Sequence, residues 1–485
     1  MRRRLPYRLP RVPTVVVIAL LAFLNSAAWA LIVPYFQAPD EPSHAAYAIE
    51  LAETGRPPWD TSGHAFASDE LGVLANGLGT FDMLQFAGQT RPPWTKERQR
   101  AYEKIVAQGL KRKNGGGPST ASVHGPVYYA FPALAYRIFY DASFTDRMLV
   151  MRLASALLAA FTVAFVYGTV RELVPSRPWA ASAAALLAAF QPMFGFIEGM
   201  VNADVGVNLG GAALVYLLVR ALRRGLTPWL GAGIIAAFIL GVLAKATMLA
   251  FLPVLVFGLA VLAWRRQGGI RSWLAMAGTA GVLAGIWAVL SRTYHHTFIP
   301  VPGGGSGVAQ AAPGIGAKLS YIWQIFLPPL PFMHHDFAPG IHPVWDIYVV
   351  RGWGDFGWLD VPLPHPIFAP IAIAMCVIAV LGFRALWLER RYLRERWPEA
   401  LILIGALLCV IGFTHAAFIK FNPAAPIQEQ GRYAFPAITT LAAAGVAACF
   451  GFGRRFAHVG AIALVTTMML LSGFAQIYVF SAYFT

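Results

Sequence analysis

The acidic pair Asp40-Glu41 is the first place where this sequence could do chemistry. It follows directly on an apolar run, and carboxylates at the depth of lipid headgroups are costly unless they are paired or used. One of them could act as a general base. With equal weight, Asp40 could cap a following helix while Glu41 rests near the helix dipole. Lys245 interrupts a strongly apolar stretch, Ile239 to Leu255. A lysine there either snorkels to the interface or offers a cation to a phosphate. Arg432, in Gln430-Gly431-Arg432-Tyr433, could grip a phosphate through two hydrogen bonds, or pair with Glu429 or another carboxylate. Glu198, Asn202 and Asp204 flank a turn between apolar runs. They could position a hydroxyl group, hold Arg432 and Lys245, or simply make the turn.

Metal chemistry has weaker support. Most of the eleven histidines, including His44, His124, His334, His335 and His415, fall in segments expected on one face. His334-His335-Asp336 could supply ligands, but such spacing alone does not define a site. Cys376, Cys409 and Cys449 lie within apolar runs and form no close pair, so neither a zinc site nor a disulfide framework is suggested.

The elements that must position these groups are membrane helices. Of 485 residues, 57% are hydrophobic and only 13% charged, where a soluble domain carries about a quarter charged. Apolar runs recur at the length of roughly 20 residues that a hydrocarbon core about 30 Å thick requires, without the short alternating segments of a β-barrel. The expected fold is all-α and polytopic, with about 11 transmembrane helices. Their expected spans are 14–35, 148–170, 178–197, 203–222, 228–243, 246–264, 272–291, 366–388, 399–418, 433–452 and 457–480. The whole chain, 1–485, reads as one transmembrane domain with no internal repeat and no broken helix. A basic start followed by Ala28-Trp29-Ala30 resembles a cleaved signal peptide, but the apolar run continues to about Phe36, so an uncleaved first helix is expected.

A net charge of +15 invites thoughts of nucleic acid, but its placement argues against that partner. Arginines cluster at Arg2, Arg3, Arg4, Arg8 and Arg11, at Arg220, Arg223 and Arg224, and at Arg390, Arg391 and Arg394. With the N-terminus in the cytoplasm, these clusters fall on the cytoplasmic face, as the positive-inside rule requires. Loops 36–147, 292–365 and 419–432 then face outward and gather the candidate residues. In the first loop, Pro42 to Thr54 reads as a short helix capped by Asp40. Thr95 to Gln108 is a charged helix ended by Lys111-Arg112-Lys113-Asn114 and three glycines. His124 to about Tyr140 is too short and too rich in tyrosine to span, and is expected to lie in the interface. Gly303 to Gly316 reads as a mobile loop, a lid or an inert connector.

The ordered motifs resemble those of GT-C membrane glycosyltransferases, most closely a bacterial family of uncharacterised predicted membrane proteins within that superfamily. Ala38-Pro39-Asp40-Glu41-Pro42-Ser43-His44 is similar to the first-loop motif, and His124 to Tyr129 to a Pro-Tyr-Tyr interfacial helix. Arg152-Leu153-Ala154-Ser155 resembles the start of the second span, and Gly199 to Asp204 an Asn-x-Asp turn. Leu243-Ala244-Lys245-Ala246-Thr247 resembles a lysine motif, with Ala246 where a proline often stands. Phe356 to Asp360 and Gln430 to Tyr433 complete the series.

The resemblance implies a GT-C-like fold and a glycosyltransferase of the bacterial plasma membrane, with its active site extracytoplasmic. It implies a polyprenyl-phosphate sugar as donor and a saccharide, lipid or protein hydroxyl as acceptor. No cofactor is required on this reading, and a divalent metal is not indicated. Asp40 and Glu41 would be catalytic, with Asp40 the base. His44, His124, Tyr128, Glu198, Asn202, Asp204, Lys245, Arg432 and Tyr433 would bind substrate. A rival reading is a transporter or flippase for a lipid-linked saccharide. A structural scaffold is the third, and leaves the acidic pair and the cations without a purpose.

Overall fold

The structure, a computed structural model, describes residues 12–58, 64–79, 95–293, 314–417, 419 and 429–484. The basic cluster Arg2 to Arg11, most of the expected lid Gly303 to Gly316, and most of the third loop lie outside these residues.

Among the described residues, nine helices are long and apolar enough to cross a membrane. They are Thr14–Ile32, Phe144–Leu173, Asp204–Arg224, Ala246–Trp264, Ile270–Thr293, His365–Leu388, Trp397–Ala417, Gly431–Phe452 and Ala457–Phe484. The pair Pro178–Ala189 and Pro192–Glu198 is apolar enough only when taken together, and it is bent by 67° at its break, as a broken span or a re-entrant loop is. This corrects the expectation of unbroken helices: Pro192 lacks the N–H to continue the ladder, and Gln191 caps the second half by accepting from Phe194 N–H at 2.5 Å. Pro228–Ala244, the remaining expected span, is a 17-residue apolar helix that stops one residue short of Lys245.

Close approaches between helices use small residues, as expected where lipid supplies no hydrophobic drive. A Cβ on Gly211 would meet the Pro436 carbonyl at 2.2 Å, so only glycine lets the Asp204–Arg224 helix lie against that turn. The outer helices keep their apolar faces outward; Val282, Val289, Val380 and Leu470 are all exposed.

Among the described residues, the first loop holds four helices: Glu41–Thr54, Asp69–Gly77, Lys96–Val106 and Ala130–Ile138. Asp69–Gly77, capped by Ser68, was not anticipated. The second loop carries a two-stranded hairpin, Asp355–Phe356 with Val361–Pro362, a small departure from an all-α chain. The hairpin is docked where the first span ends. Phe356 stacks on Trp29 with ring centres 4.8 Å apart, and Trp358 Nε1–H donates to the Phe36 carbonyl at 2.9 Å.

Candidate active site

The segment from Phe36 to Glu41 decides where the acidic pair points. Phe36 and Asp40 both have left-handed backbones, with φ of 68° and 62°, a conformation that costs a non-glycine residue about 1–2 kcal/mol. Asp40 precedes the Glu41–Thr54 helix, but its side chain makes no capping bond. The expected capping role is therefore corrected: a cap accepts from an extended backbone, and the left-handed turn aims this carboxylate elsewhere.

Glu41 is fully buried and saturated. Its two oxygens accept from Arg152 Nε at 2.8 Å and Nη2 at 2.6 Å, from Phe36 N–H at 2.8 Å and from Val201 N–H at 3.2 Å. Arg152 spends its remaining donors on the carbonyls of Ala30, Val33 and Pro34, which the end of the first span leaves without helical partners. Four accepted bonds fill a carboxylate's capacity, so this geometry makes Glu41 an anchor that positions Asp40 rather than a reacting group.

The segment from His124 to Tyr129 closes one side. A Cβ on Gly125 would lie 2.1 Å from the Leu243 carbonyl, so glycine lets this segment rest on the helix end beside Lys245. Tyr128 shares a 2.7 Å hydrogen bond with Ser155 and accepts the Asn202 N–H at 2.8 Å. Its hydroxyl is buried, and both of these hydrogen bonds are made within the protein. Tyr129 stacks on Tyr47 at 3.7 Å and shares a 2.6 Å hydrogen bond with His44 Nδ1. Tyr47 donates to the His124 carbonyl at 3.1 Å.

The rings of His44 and His124 lie 5.9 Å apart. Burial drives the His44 imidazole well below its ordinary pKa, with repulsion from His124 and Lys245 adding to it. His124 is pushed down to about 3, first by burial and then by Lys245. Both rings are neutral in the fold, whereas the unfolded chain protonates them as pH drops through about 6.5. The unfolded state then binds more protons, so stability present above that pH is lost progressively as pH falls towards the folded values. The melting temperature of the detergent-solubilised protein is expected to drop between pH 7 and pH 5, and His124→Gln to flatten that drop. An unaltered slope in the variant would remove His124 from the acid response.

The cations converge on the opposite side. Asn202 donates to the Pro39 carbonyl at 3.3 Å and accepts the Asp204 N–H at 2.9 Å, tying the turn to the Asp40 segment. Asp204 Oδ1 lies 2.5 Å from Lys245 Nζ, and its Oδ2 lies 3.8 Å from Arg432 Nη1. Lys245 is reached because the helix breaks there: its backbone is extended between Pro228–Ala244 and a 3-10 turn. Lys245 and Arg432 both face the Tyr433 ring, at 5.9 and 5.2 Å. Glu429 does not pair with the Arg432 guanidinium; Tyr321 donates to its carboxylate and Arg351 to its carbonyl.

Several of these polar atoms are buried without a hydrogen-bond partner among the described residues. They include Arg432 Nε and Nη1, Asp204 Oδ2, Glu198 Oε2 and Asn208 Oδ1. Glu198 is fully buried and accepts from Asn208 at 2.8 Å through its other oxygen. Buried donors and acceptors are rarely left unmade, so Arg432 and Asp204, whose unmade atoms face one another at 3.8 Å, are candidates for contact with a ligand. The structure thus brings together Asp40, His44, His124, Asp204, Lys245, Arg432 and Tyr433, with Glu198 behind Asp204. Glu41, Tyr128 and Asn202 make their hydrogen bonds within the protein.

Among the described residues, no three His, Cys, Asp or Glu side chains gather as a metal-binding group. Asp336 instead accepts from Ser320 and Gln324 in packing the second loop. Three residues that matter escaped assignment from the sequence: Arg152, Tyr129 and Trp358. Arg152 did leave a signal, since an arginine inside an apolar helix demands an internal partner.

A family profile described as predicted membrane protein (DUF2142) matches residues 23–441. No curated protein matches the chain. Among solved structures, the chain is similar to ArnT from Cupriavidus metallidurans, a crystal structure with undecaprenyl phosphate bound. The TM-score is 0.47 and the identity 14%, over 96% of this chain and 76% of that one.

Proposed function

We propose that this chain, which belongs to the DUF2142 family of predicted membrane proteins, is a membrane glycosyltransferase fed by a polyprenyl-phosphate sugar. The observation that carries this reading is the buried Arg432 guanidinium, whose Nε and Nη1 make no hydrogen bond among the described residues, with Asp204 shared between it and Lys245 and with the Asp40 carboxylate, which caps nothing, close enough to act on its charge. Two cations at a helix break form a seat for a phosphate, and Asp40 is free to take a proton.

The chemistry then follows. The acceptor hydroxyl gives its proton to Asp40 as its oxygen attacks the anomeric carbon. The bond from that carbon to the phosphate oxygen breaks, and its electron pair leaves with the lipid phosphate. Lys245 and Arg432 stabilise the charge that develops there. A phosphate monoester has a second pKa of about 6, so it departs without a general acid and one base suffices, unlike the paired carboxylates of a glycosidase. Asp204 bridges the two cations and holds them in place, while Glu41 fixes the base. The arginine clusters support an N-terminus in the cytoplasm and this site outside.

Attack opposite the leaving group predicts inversion. Purified protein given a panel of polyprenyl-phosphate sugars and an envelope acceptor should yield a product whose anomeric NMR signal shows the opposite configuration to the donor. Retention would sink the single-base mechanism. The bent pair Pro178–Ala189 and Pro192–Glu198 favours a second reading, since broken helices are common in transporters. Movement of intact lipid-linked sugar across vesicles, with no glycosidic bond made, would replace the transferase by a flippase.

A further inference from the structure

Away from the Asp40 and Arg432 cluster, a cavity of about 420 Å³ is lined by Leu110, Lys111, Arg112, Lys113, Asn114 and Tyr140. None of these residues belongs to the site described above. The cavity is rigidly floored. Arg112 Nε pairs with Glu70 at 3.1 Å, Arg147 grips the same carboxylate at 2.7 and 3.1 Å, and Arg112 Nη1 donates to the Tyr140 carbonyl. The Lys111 carbonyl accepts the Glu70 N–H at 2.9 Å, and Asn114 Oδ1 accepts the Asp69 N–H at 3.0 Å. Arg112 and Arg147 thus share one carboxylate, whereas Lys111 and Lys113 are exposed and make no ion pair among the described residues.

Beside this cationic cavity runs the Ala130–Ile138 helix. It buries Pro132, Ala133 and Tyr136 against the protein and turns Phe131, Leu134 and Ile138 outward. These exposed residues, at i, i+3 and i+7, make one apolar stripe, and Phe139 extends it. Arg137 stands exposed at the end of that stripe, its guanidinium 5.3 Å from the Tyr140 ring centre. Exposed apolar stripe and exposed cations therefore meet at Tyr140. An acyl chain fits the stripe and a phosphate fits the cations, which is the division of an amphipathic helix lying in a headgroup region.

We propose that this cavity is a binding site for an anionic phospholipid of the leaflet on the first-loop side, its headgroup phosphate held by Lys111, Lys113 and Arg137 and an acyl chain on the stripe. An acidic polysaccharide satisfies the cations but leaves Phe131, Leu134 and Ile138 in water, so the lipid is the better occupant. The proposal stands independently of the catalytic reading.

The test is native mass spectrometry of the full chain released from vesicles of phosphatidylglycerol and phosphatidylcholine in equal parts. Wild-type protein is expected to retain phosphatidylglycerol preferentially. Surface cations attract anionic lipid by about fivefold each, so Lys111→Gln with Lys113→Gln should lower that preference by ~25-fold. Lys96→Gln with Arg100→Gln, on the exposed Lys96–Val106 helix, should leave it unchanged and so control for overall charge. Equal retention of the two lipids by wild type, or unaltered retention in the first variant, overturns the proposal. Displacement of the bound lipid by millimolar glycerol phosphate would also overturn it, in favour of a soluble phosphate site. Binding of dextran sulfate that depends on Lys111 and Lys113, without lipid preference, would convert the surface to one for an acidic glycan.

Discussion

Replacing Asp40 by Asn is expected to slow sugar transfer by a factor of at least about a hundred while leaving the protein folded. A general base contributes roughly 10²–10⁴ to rate, and a side-chain amide cannot take the proton that a carboxylate takes. The fold should tolerate the change because the Asp40 carboxylate makes no capping bond, and asparagine adopts the left-handed backbone at least as readily as aspartate. Wild type and variant would be compared with radiolabelled polyprenyl-phosphate sugar, under saturating donor so that the loss appears in kcat. Equal transfer by both proteins would leave an enzyme but remove Asp40 as its base. Loss of transfer accompanied by a lowered melting temperature would mean the carboxylate holds structure instead.

The second large effect belongs to Arg152. Removing one partner of a buried ion pair leaves the other uncompensated, at about 3–5 kcal/mol, and here the guanidinium also satisfies three carbonyls at the end of the first span. Arg152→Met should therefore unfold at a distinctly lower temperature in detergent and express poorly. Arg152→Lys should not rescue it, because an ammonium cannot reproduce the forked geometry that meets Glu41 through two nitrogens. Adding Glu41→Leu to Arg152→Met should recover part of the loss by removing the stranded charge. A variant that melts like wild type would show that water or lipid replaces these bonds at little cost.

Much of the architecture was legible because membrane spans are written in composition and length. The order of the spans alone brings Asp40, Asp204, Lys245 and Arg432 to one end of the bundle, and the structure joins them through Asn202 and Asp204. The division of labour within the acidic pair was not legible. Adjacent carboxylates look alike in a sequence; what separates them is a left-handed turn and an arginine 111 residues away. Tyr128 illustrates the same limit, since its hydroxyl is claimed by Ser155 and the Asn202 backbone, neither near it in sequence. The broken helix at Gln191 escaped because a single proline in an apolar run signals a kink or an end, and only packing decides between them.

The anchoring of Glu41 also imposes an order on biogenesis. Arg152 and Val201, the groups that neutralise and complete this carboxylate, are made 111 and 160 residues after it. During synthesis the first span emerges with a glutamate that has no cation to pair with, and it must wait at the water-facing edge of the membrane until the second helix delivers the arginine. Only when the bent third pair has turned back does Val201 close the shell. A chain halted before that point holds Asp40 on a turn that nothing yet anchors.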